Sequence, residues 1–297
     1  MGSKSRGSSR LLHLSSLLMV SAAFAQNAQT INIVAATNSA DFQPGLAQPG
    51  SLCSLFVTGL QGSPGILTAP TVPLPNELAG VSVRIDSLPA PILAIAFFDS
   101  YQQINVQVPW EVSGKYRLTV SVAQNGVSGE SDQLVTGSLL RPSVFFVDGK
   151  GYEVFQRATD YSPVTPDNPV QPGEYVIAYA INLGPVSHTP ATGDPSPFDP
   201  LAVSVAVPPV CSMMDNIRWG TTNLAPLRVA SPSFIGLAPG TVGVYQVNFQ
   251  VPQSIPPGDI PISFMRELLE NIVKCPGFGS QTELITIESP TVLLPVR

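Results

Sequence analysis

One short strand is written twice in this chain. Gln103-Ile104-Asn105-Val106-Gln107-Val108-Pro109 returns as Gln246-Val247-Asn248-Phe249-Gln250-Val251-Pro252. In both copies aliphatic or aromatic residues alternate with amides. A period of two sends the apolar set to one face of a strand and the amides to the other. Proline then ends the ladder, because it has no N–H to donate. A turn follows each copy, Ser113-Gly114 or Pro257-Gly258, and feeds another strand, 116–122 or 260–264. The repeated unit is thus a hairpin. Two copies of it imply two copies of one small all-β domain.

Composition agrees with short strands. The 297 residues include 31 Pro and 24 Gly, well above the share of about 12% in ordinary proteins. Such punctuation leaves little room for long helices. Charged residues are only 11% and hydrophobic ones 44%. There is ample core material beneath a surface rich in Ser, Thr, Asn and Gln. The expected fold class is all-β: two tandem immunoglobulin-like β-sandwich domains after a signal peptide.

Residues 1–25 have the form of a secretory signal. Lys4, Arg6 and Arg10 make a positive start, 11–24 is a short apolar run, and Ala23-Phe24-Ala25 is a small-x-small cleavage site. Cleavage after Ala25 predicts a secreted, cell-surface or periplasmic protein. It removes three of the 14 basic residues and none of the 20 acidic ones, taking the net charge from −6 to −9. An acidic body without a basic cluster argues against nucleic acid and anionic membranes as partners. No later stretch is long and apolar enough to span a bilayer.

Residues 26–37 read as a lead-in with one strand at 31–34. The first unit is 38–138, with about seven strands, including 51–58, 81–85 and 91–98. The second unit is 139–297. Pro172-Gly173 repeats Pro49-Gly50, and 174–181 is the matching strand. That offset of 123 residues has grown to 143 at the repeated Gln-Val-Pro strand. The second unit therefore carries enlargements, around 210–223 and 265–278. Apolar residues at 268, 269, 272 and 273 suit either a short helix or an extended strand over 266–274.

The ordered set of motifs resembles a known group. Asn38-Ser39-Ala40-Asp41-Phe42-Gln43-Pro44-Gly45 with Pro49-Gly50-Ser51-Leu52 is similar to the opening of an uncharacterised exported domain family abundant in soil acidobacteria. Gly80-Val81-Ser82-Val83, the first Gln-Val-Pro strand with Trp110-Glu111, Leu183-Gly184-Pro185-Val186 and Gly236-Leu237-Ala238-Pro239-Gly240 extend the resemblance over nearly the whole mature chain. It implies tandem immunoglobulin-like sandwiches, often at the C-terminal end of larger surface proteins. It implies no activity, cofactor or catalytic residue. The two Cys-bearing enlargements depart from it.

Catalytic and metal motifs are sparse. The mature chain has a single histidine, His188, on a Pro-flanked loop, which leaves no two-histidine zinc site within one chain. No Gly-x-Ser-x-Gly elbow and no phosphate-cradling Gly-rich Lys motif is present. Asp194 and Asp199 could serve as paired carboxylates, but Asp-Pro pairs are ordinary turn formers. Cys53 shares a strand face with Leu55 and Val57 and reads as a small buried hydrophobe. Cys211 and Cys275, in the two enlargements, are the expected disulfide. On the chain-entropy model it would close about 65 residues and contribute about 4 kcal/mol; pairs with Cys53 stay open. The candidate binding surface is Met213, Met214, Arg218 and Trp219, since such types are enriched at interface cores; the competing reading has Trp219 only covering an end of the sandwich. The expected function is a non-catalytic interaction or structural module of the cell surface, adhesion-like, with a protein or glycan partner. The alternative is a carbohydrate-active protein, glycan-binding or a two-carboxylate glycosidase.

Overall fold

The computed structural model describes residues 30–112, 115, 117–134, 143–145, 155–205, 211–219, 227–270 and 284–297. The leader at 1–25 lies outside them, as does Cys275, and with it the expected Cys211–Cys275 pair. The described residues form four five-stranded antiparallel sheets, two in each half of the chain. Their helical content is one 3-10 turn, Trp110–Val112. No helix among them is long and apolar enough to cross a membrane.

In the first half, one sheet has the order Asn32–Asn38, Leu52–Thr58, Gln102–Gln107, Ile92–Phe97, Gly65–Thr68. The facing sheet runs Val127–Leu134, Arg117–Gln124, Val81–Ile85, Glu77–Leu78, with Leu88–Pro89 also on Val81–Ile85. Alternation sets the core between them. Cys53, Leu55, Val57, Ile104 and Val106 from one sheet meet Val83, Ile85, Val120 and Val122 from the other, all fully buried or nearly so. This is the sandwich architecture shared with immunoglobulin-type domains. The lead-in is not separate from it: Asn32–Asn38 pairs along Leu52–Thr58, so the expected boundary at residue 38 falls at the end of a strand. Among the described residues of this half there are ten strands where about seven were expected, the surplus being short pieces such as Glu77–Leu78 and Leu88–Pro89.

The second half repeats the first at identical register. Leu52 pairs with Gln107 and Val57 with Gln102; Tyr175 pairs with Gln250 and Ala180 with Tyr245. Gly50 N donates to the Val108 carbonyl at 2.8 Å, and Gly173 N to the Val251 carbonyl at 2.8 Å. Gln107 Nε2 donates to the Gly50 carbonyl at 3.0 Å, and Gln250 Nε2 to the Gly173 carbonyl at 2.9 Å. Both glycines have positive φ, +82° and +88°, and a Cβ on either would lie 2.2 Å from a side chain, Trp110 or Gln253. The left-handed angle favours glycine at both positions, and at Gly50 the Trp110 ring leaves no room for a Cβ as well.

The described parts of the enlargements, 211–219 and 265–270, are strands. Cys211–Trp219 and Gly258–Glu270 pair along nine residues, with Leu227–Ala230 and Leu284–Glu288 outside them and Val292–Val296 on the start of Gly258–Glu270. The open choice over 266–274 resolves to strand as far as Glu270, with the rest outside the described residues. The second core centres on Phe249, where the first has Val106. Phe155, Trp219 and Phe264 stand edge-on to it at 6.2, 5.7 and 6.1 Å. Burying side chains of this size contributes about 1.5–3 kcal/mol each.

The halves meet end to end. Gln48 N donates to Asn182 Oδ1 (2.9 Å), and Asn182 N to Ser51 Oγ (3.0 Å). Gly193 N donates to Gln107 Oε1 (2.7 Å), while the Gly193 carbonyl accepts from Leu74 N (2.9 Å). Trp110 N donates to Thr192 Oγ1 (3.1 Å), and the half-buried Trp110 ring packs against the second core. Gln107 thus serves both the repeated strand pair and the junction. Gln250, its equivalent, is exposed and makes only the first contact.

Two outcomes follow from this packing. Gln107→Ala strands the buried Gly193 N–H and is expected to cost about 1–3 kcal/mol, against about 1 kcal/mol or less for Gln250→Ala. Thermal melts of the two variants, with hydrogen exchange at the Gly193 amide, check this; equal losses would contradict the asymmetry. Burial pushes the Cys53 thiol up to about 12, although the Ala47 and Thr37 backbone bonds oppose it. Its Sγ donates to the Thr37 carbonyl at 3.0 Å. Ellman's reagent at pH 8 is expected to leave Cys53 unmodified until the chain unfolds. The unfolded thiol ionises first, so this group favours unfolding as pH rises from about 9 towards 12.

Candidate functional site

Four aromatic side chains form a continuous surface cluster on the first half. The turn after Asn32–Asn38 begins it. Asn38 Oδ1 accepts from the Ala40 and Asp41 amides (2.9 and 3.0 Å), Asn38 Nδ2 donates to Asp41 Oδ1, and Gln43 N donates to the same carboxylate oxygen (3.2 Å). Asn and Asp side chains commonly shape turns this way. The result holds Phe42 at φ +56°, with its ring half out in solvent. That conformation costs a residue with a Cβ about 1–2 kcal/mol, and its product is an exposed ring.

Phe42 leans on Phe56 with centroids 6.3 Å apart. Phe56 lies 5.9 Å from Tyr101, which lies 4.9 Å from Phe98. Phe98 and Tyr101 face one another because Phe98 N donates to the Tyr101 carbonyl (3.0 Å), closing the tight turn between Ile92–Phe97 and Gln102–Gln107. Phe42, Phe98 and Tyr101 are all exposed.

The cluster borders the outer face of the first sheet. One cross-strand row is Ala35, Phe56, Gln103, Ala96, Ile66; the next is Thr37, Ser54, Asn105, Ala94, Thr68. Neither row holds a charge. Gln103 Nε2 donates to Asn105 Oδ1 (2.8 Å), and Ser54 Oγ donates to the same oxygen (2.9 Å). Gln103 Nε2 also donates to Ser54 Oγ (3.3 Å), which leaves Gln103 Oε1 and Asn105 Nδ2 outside these bonds on two half-buried residues.

The second half repeats part of this in tyrosine, without counterparts of Phe98 and Tyr101, whose equivalent positions are Thr241 and Val244. Tyr161 sits at φ +59° and is 65% exposed, as Phe42 sits at φ +56°. Tyr179 pairs across strands with Gln246, as Phe56 pairs with Gln103. Gln246 Nε2 donates to Asn248 Oδ1 at 2.9 Å. Burial, and then the neighbouring Tyr161, raise the Tyr179 phenol above its usual range, and its hydroxyl donates to Gln156 Oε1 (2.9 Å). Beside Tyr161, hydrogen bonds from the Ser162 side chain and backbone hold the Asp160 carboxylate below its usual range.

The residues singled out from sequence lie elsewhere. Trp219, expected at an exposed patch or a sandwich end, is 1% exposed and belongs to the second core. It alternates inward with Ile217, and the volume around Phe249 accommodates the indole. Arg218 faces the other way: its Nε donates to Met265 Sδ (3.1 Å) and lies 3.5 Å from Glu288 Oε1. Met213 and Met214 are strand residues opposite Leu268 and Glu267; their side chains, and that of Cys211, lie outside the described ones. His188 is exposed on its loop at φ +49°. Asp194 belongs to the turn closed by its N–H on the Ala191 carbonyl (2.9 Å), and Asp199 to the turn at the cis Asp199-Pro200 bond. Among the described residues no cluster of three His, Cys, Asp or Glu is placed to hold a metal ion.

Sequence reading passed over Phe42, Phe56, Phe98 and Tyr101. One signal was available. Phe56 holds an outward position in a strand whose inward set is Cys53, Leu55 and Val57, so its ring had to face away from the core.

No family model matches this chain, and no curated protein does. Among solved structures, a three-immunoglobulin-domain structure of titin is similar at 11% identity and a TM-score of 0.19. It matches over 89% of this chain and 66% of its own length. Two endo-fucoidan hydrolases of glycoside hydrolase family 107 match at 11% and 12% identity, each with a TM-score of 0.17. The chain spans about a third of their length, 30% and 34%. At such scores these likenesses carry no functional weight.

The strained turn yields a direct check. Phe42→Gly removes the left-handed penalty and an exposed ring together. Its stability is expected to equal that of the wild type or exceed it by up to about 1 kcal/mol. A loss beyond about 1 kcal/mol in a urea melt would show that the ring is held for packing instead.

Proposed function

We infer that this chain is an exported, non-catalytic interaction module, and that it recognises its partner with the outer face of the first sheet and the aromatic cluster bordering it. The observation carrying this reading is Phe42: an aromatic ring kept in solvent by a backbone conformation that disfavours it, at the end of a connected row of aromatics. Strain retained at an exposed residue is a pointer to function. Aromatic residues also dominate the energetics of recognition surfaces. Export rests on the leader-like 1–25, and the cell envelope is the compartment that leader serves.

The test is co-sedimentation of the chain beginning at residue 26 with an envelope fraction. Wild type is expected in the pellet. The double variant Phe42→Ala/Tyr101→Ala, folded and melting within a few degrees of wild type, is expected to stay in the supernatant. Equal sedimentation of both proteins would overturn this assignment of the face.

A further inference from the structure

We propose that the two outer faces are paired sites for a neutral polysaccharide, one in each half of the chain. This rests on reading the outer face as a recognition surface, and it adds the ligand's chemistry and a second site.

Three features recur together, although the sequence between them differs in length. An aromatic residue is held at positive φ, Phe42 or Tyr161. A second aromatic residue sits directly across from a glutamine, Phe56 from Gln103 or Tyr179 from Gln246. That glutamine then donates to an asparagine two residues on, at 2.8 or 2.9 Å. The core needs none of this. Inward residues alone bury the apolar surface, and the positive φ opposes folding. Its duplication marks a surface kept for contact.

The polar groups specify the partner's chemistry. Each glutamine–asparagine pair spends one amide N–H and one carbonyl oxygen on itself. What remains on these half-buried residues is the glutamine Oε1 as acceptor and the asparagine Nδ2 as donor; the second glutamine N–H goes to Ser54 Oγ in the first half and is a further donor in the second. A hydroxyl group both donates and accepts, so it meets such a pair fully. A carboxylate or phosphate would satisfy only the donor. An ammonium would satisfy only the acceptor. The two cross-strand rows of the first face hold no charged side chain, and the charges that border its aromatics, Asp41 and Asp99, would repel an anion. A pyranose ring offers an apolar C–H face to an aromatic ring and equatorial hydroxyls at its rim. Both properties are needed side by side, and a neutral polysaccharide repeats them along its length.

Affinity electrophoresis tests this, using the chain from residue 26 in gels containing mixed-linkage β-glucan, xyloglucan or galactomannan, with polygalacturonate as the charged comparison. At least one neutral polymer is expected to retard the protein, polygalacturonate is not, and added salt is expected to change nothing. Phe42→Ala and Tyr161→Ala are each expected to weaken the retardation, and the double variant to weaken it by about tenfold or more. Gln103→Leu and Gln246→Leu, which keep the size of the side chain and remove the amide, are expected to act in the same direction.

Retardation by none of the neutral polymers, by polygalacturonate alone, or equally in wild type and folded variants overturns the proposal. Should envelope co-sedimentation still depend on Phe42 and Tyr101, the ligand class is wrong, the partner is a protein, and the recognition face stands. Should co-sedimentation also ignore those residues, the face itself has been misassigned.

Discussion

The pairing of Leu52–Thr58 with Gln102–Gln107, and of Tyr175–Ile181 with Tyr245–Gln250, is the interaction on which everything else is built. Its register is locked at one end by a glutamine side chain on a glycine carbonyl, 3.0 Å in one half and 2.9 Å in the other. A one-residue slip would turn every valine outward and every amide inward. The lock therefore does more than add a hydrogen bond. It decides which residues become core and which become surface, and both the packing and the aromatic faces inherit that decision.

The halves have used this frame differently at its end. In the first half the positions around the lock are Ser51, Leu52 and Trp110, and the second half covers them. In the second half the equivalent positions are Glu174, Tyr175 and Gln253. Glu174 pairs with Arg157 Nε at 3.1 Å, and Tyr175 is about half exposed. The same backbone surface has become a docking face in one copy and a polar, solvated end in the other. Replacing Trp110 by an amide and Ser51 by a carboxylate removes the apolar anchor and adds a charge that a second sandwich would have to desolvate.

How much of this was legible in the sequence depends on which side of a strand a residue faces. Inward positions obey one rule, burial, and the alternation over 103–109 and 246–252 was enough to place them. The correspondence of Pro49-Gly50 with Pro172-Gly173 held to the level of single hydrogen bonds. Trp219 failed because a large residue in an enlargement suits a surface anchor and a core filler equally. Only the volume around Phe249, a property of three dimensions, separates them. The strand Gly65–Thr68 was hidden by its own Gly- and Pro-rich surroundings. The aromatic cluster was out of reach for a different reason: Phe42, Phe56, Phe98 and Tyr101 come from three separate stretches, and only sheet register and two turns bring them together.

That division between faces also explains how one fold can hold a strained, exposed residue without cost to its core. Phe42 and Tyr161 sit in turns, outside the strand pairs, and their side chains point away from both cores. Their positive φ is sustained by local bonds, from the Asn38–Asp41 pair in one case and the Asp160–Ser162 contact in the other. Substitution there changes the surface and leaves the strand register as it is. Inward positions have no such freedom: Val106 could become Phe249 only alongside Phe155, Trp219 and Phe264, which fill the larger core around it. The inner faces of the two copies have thus diverged by coordinated repacking. The outer faces share the positive-φ aromatic and the aromatic–glutamine–asparagine set, with tyrosine in place of phenylalanine, as expected if packing constrains the inner set and contact with a ligand constrains the outer.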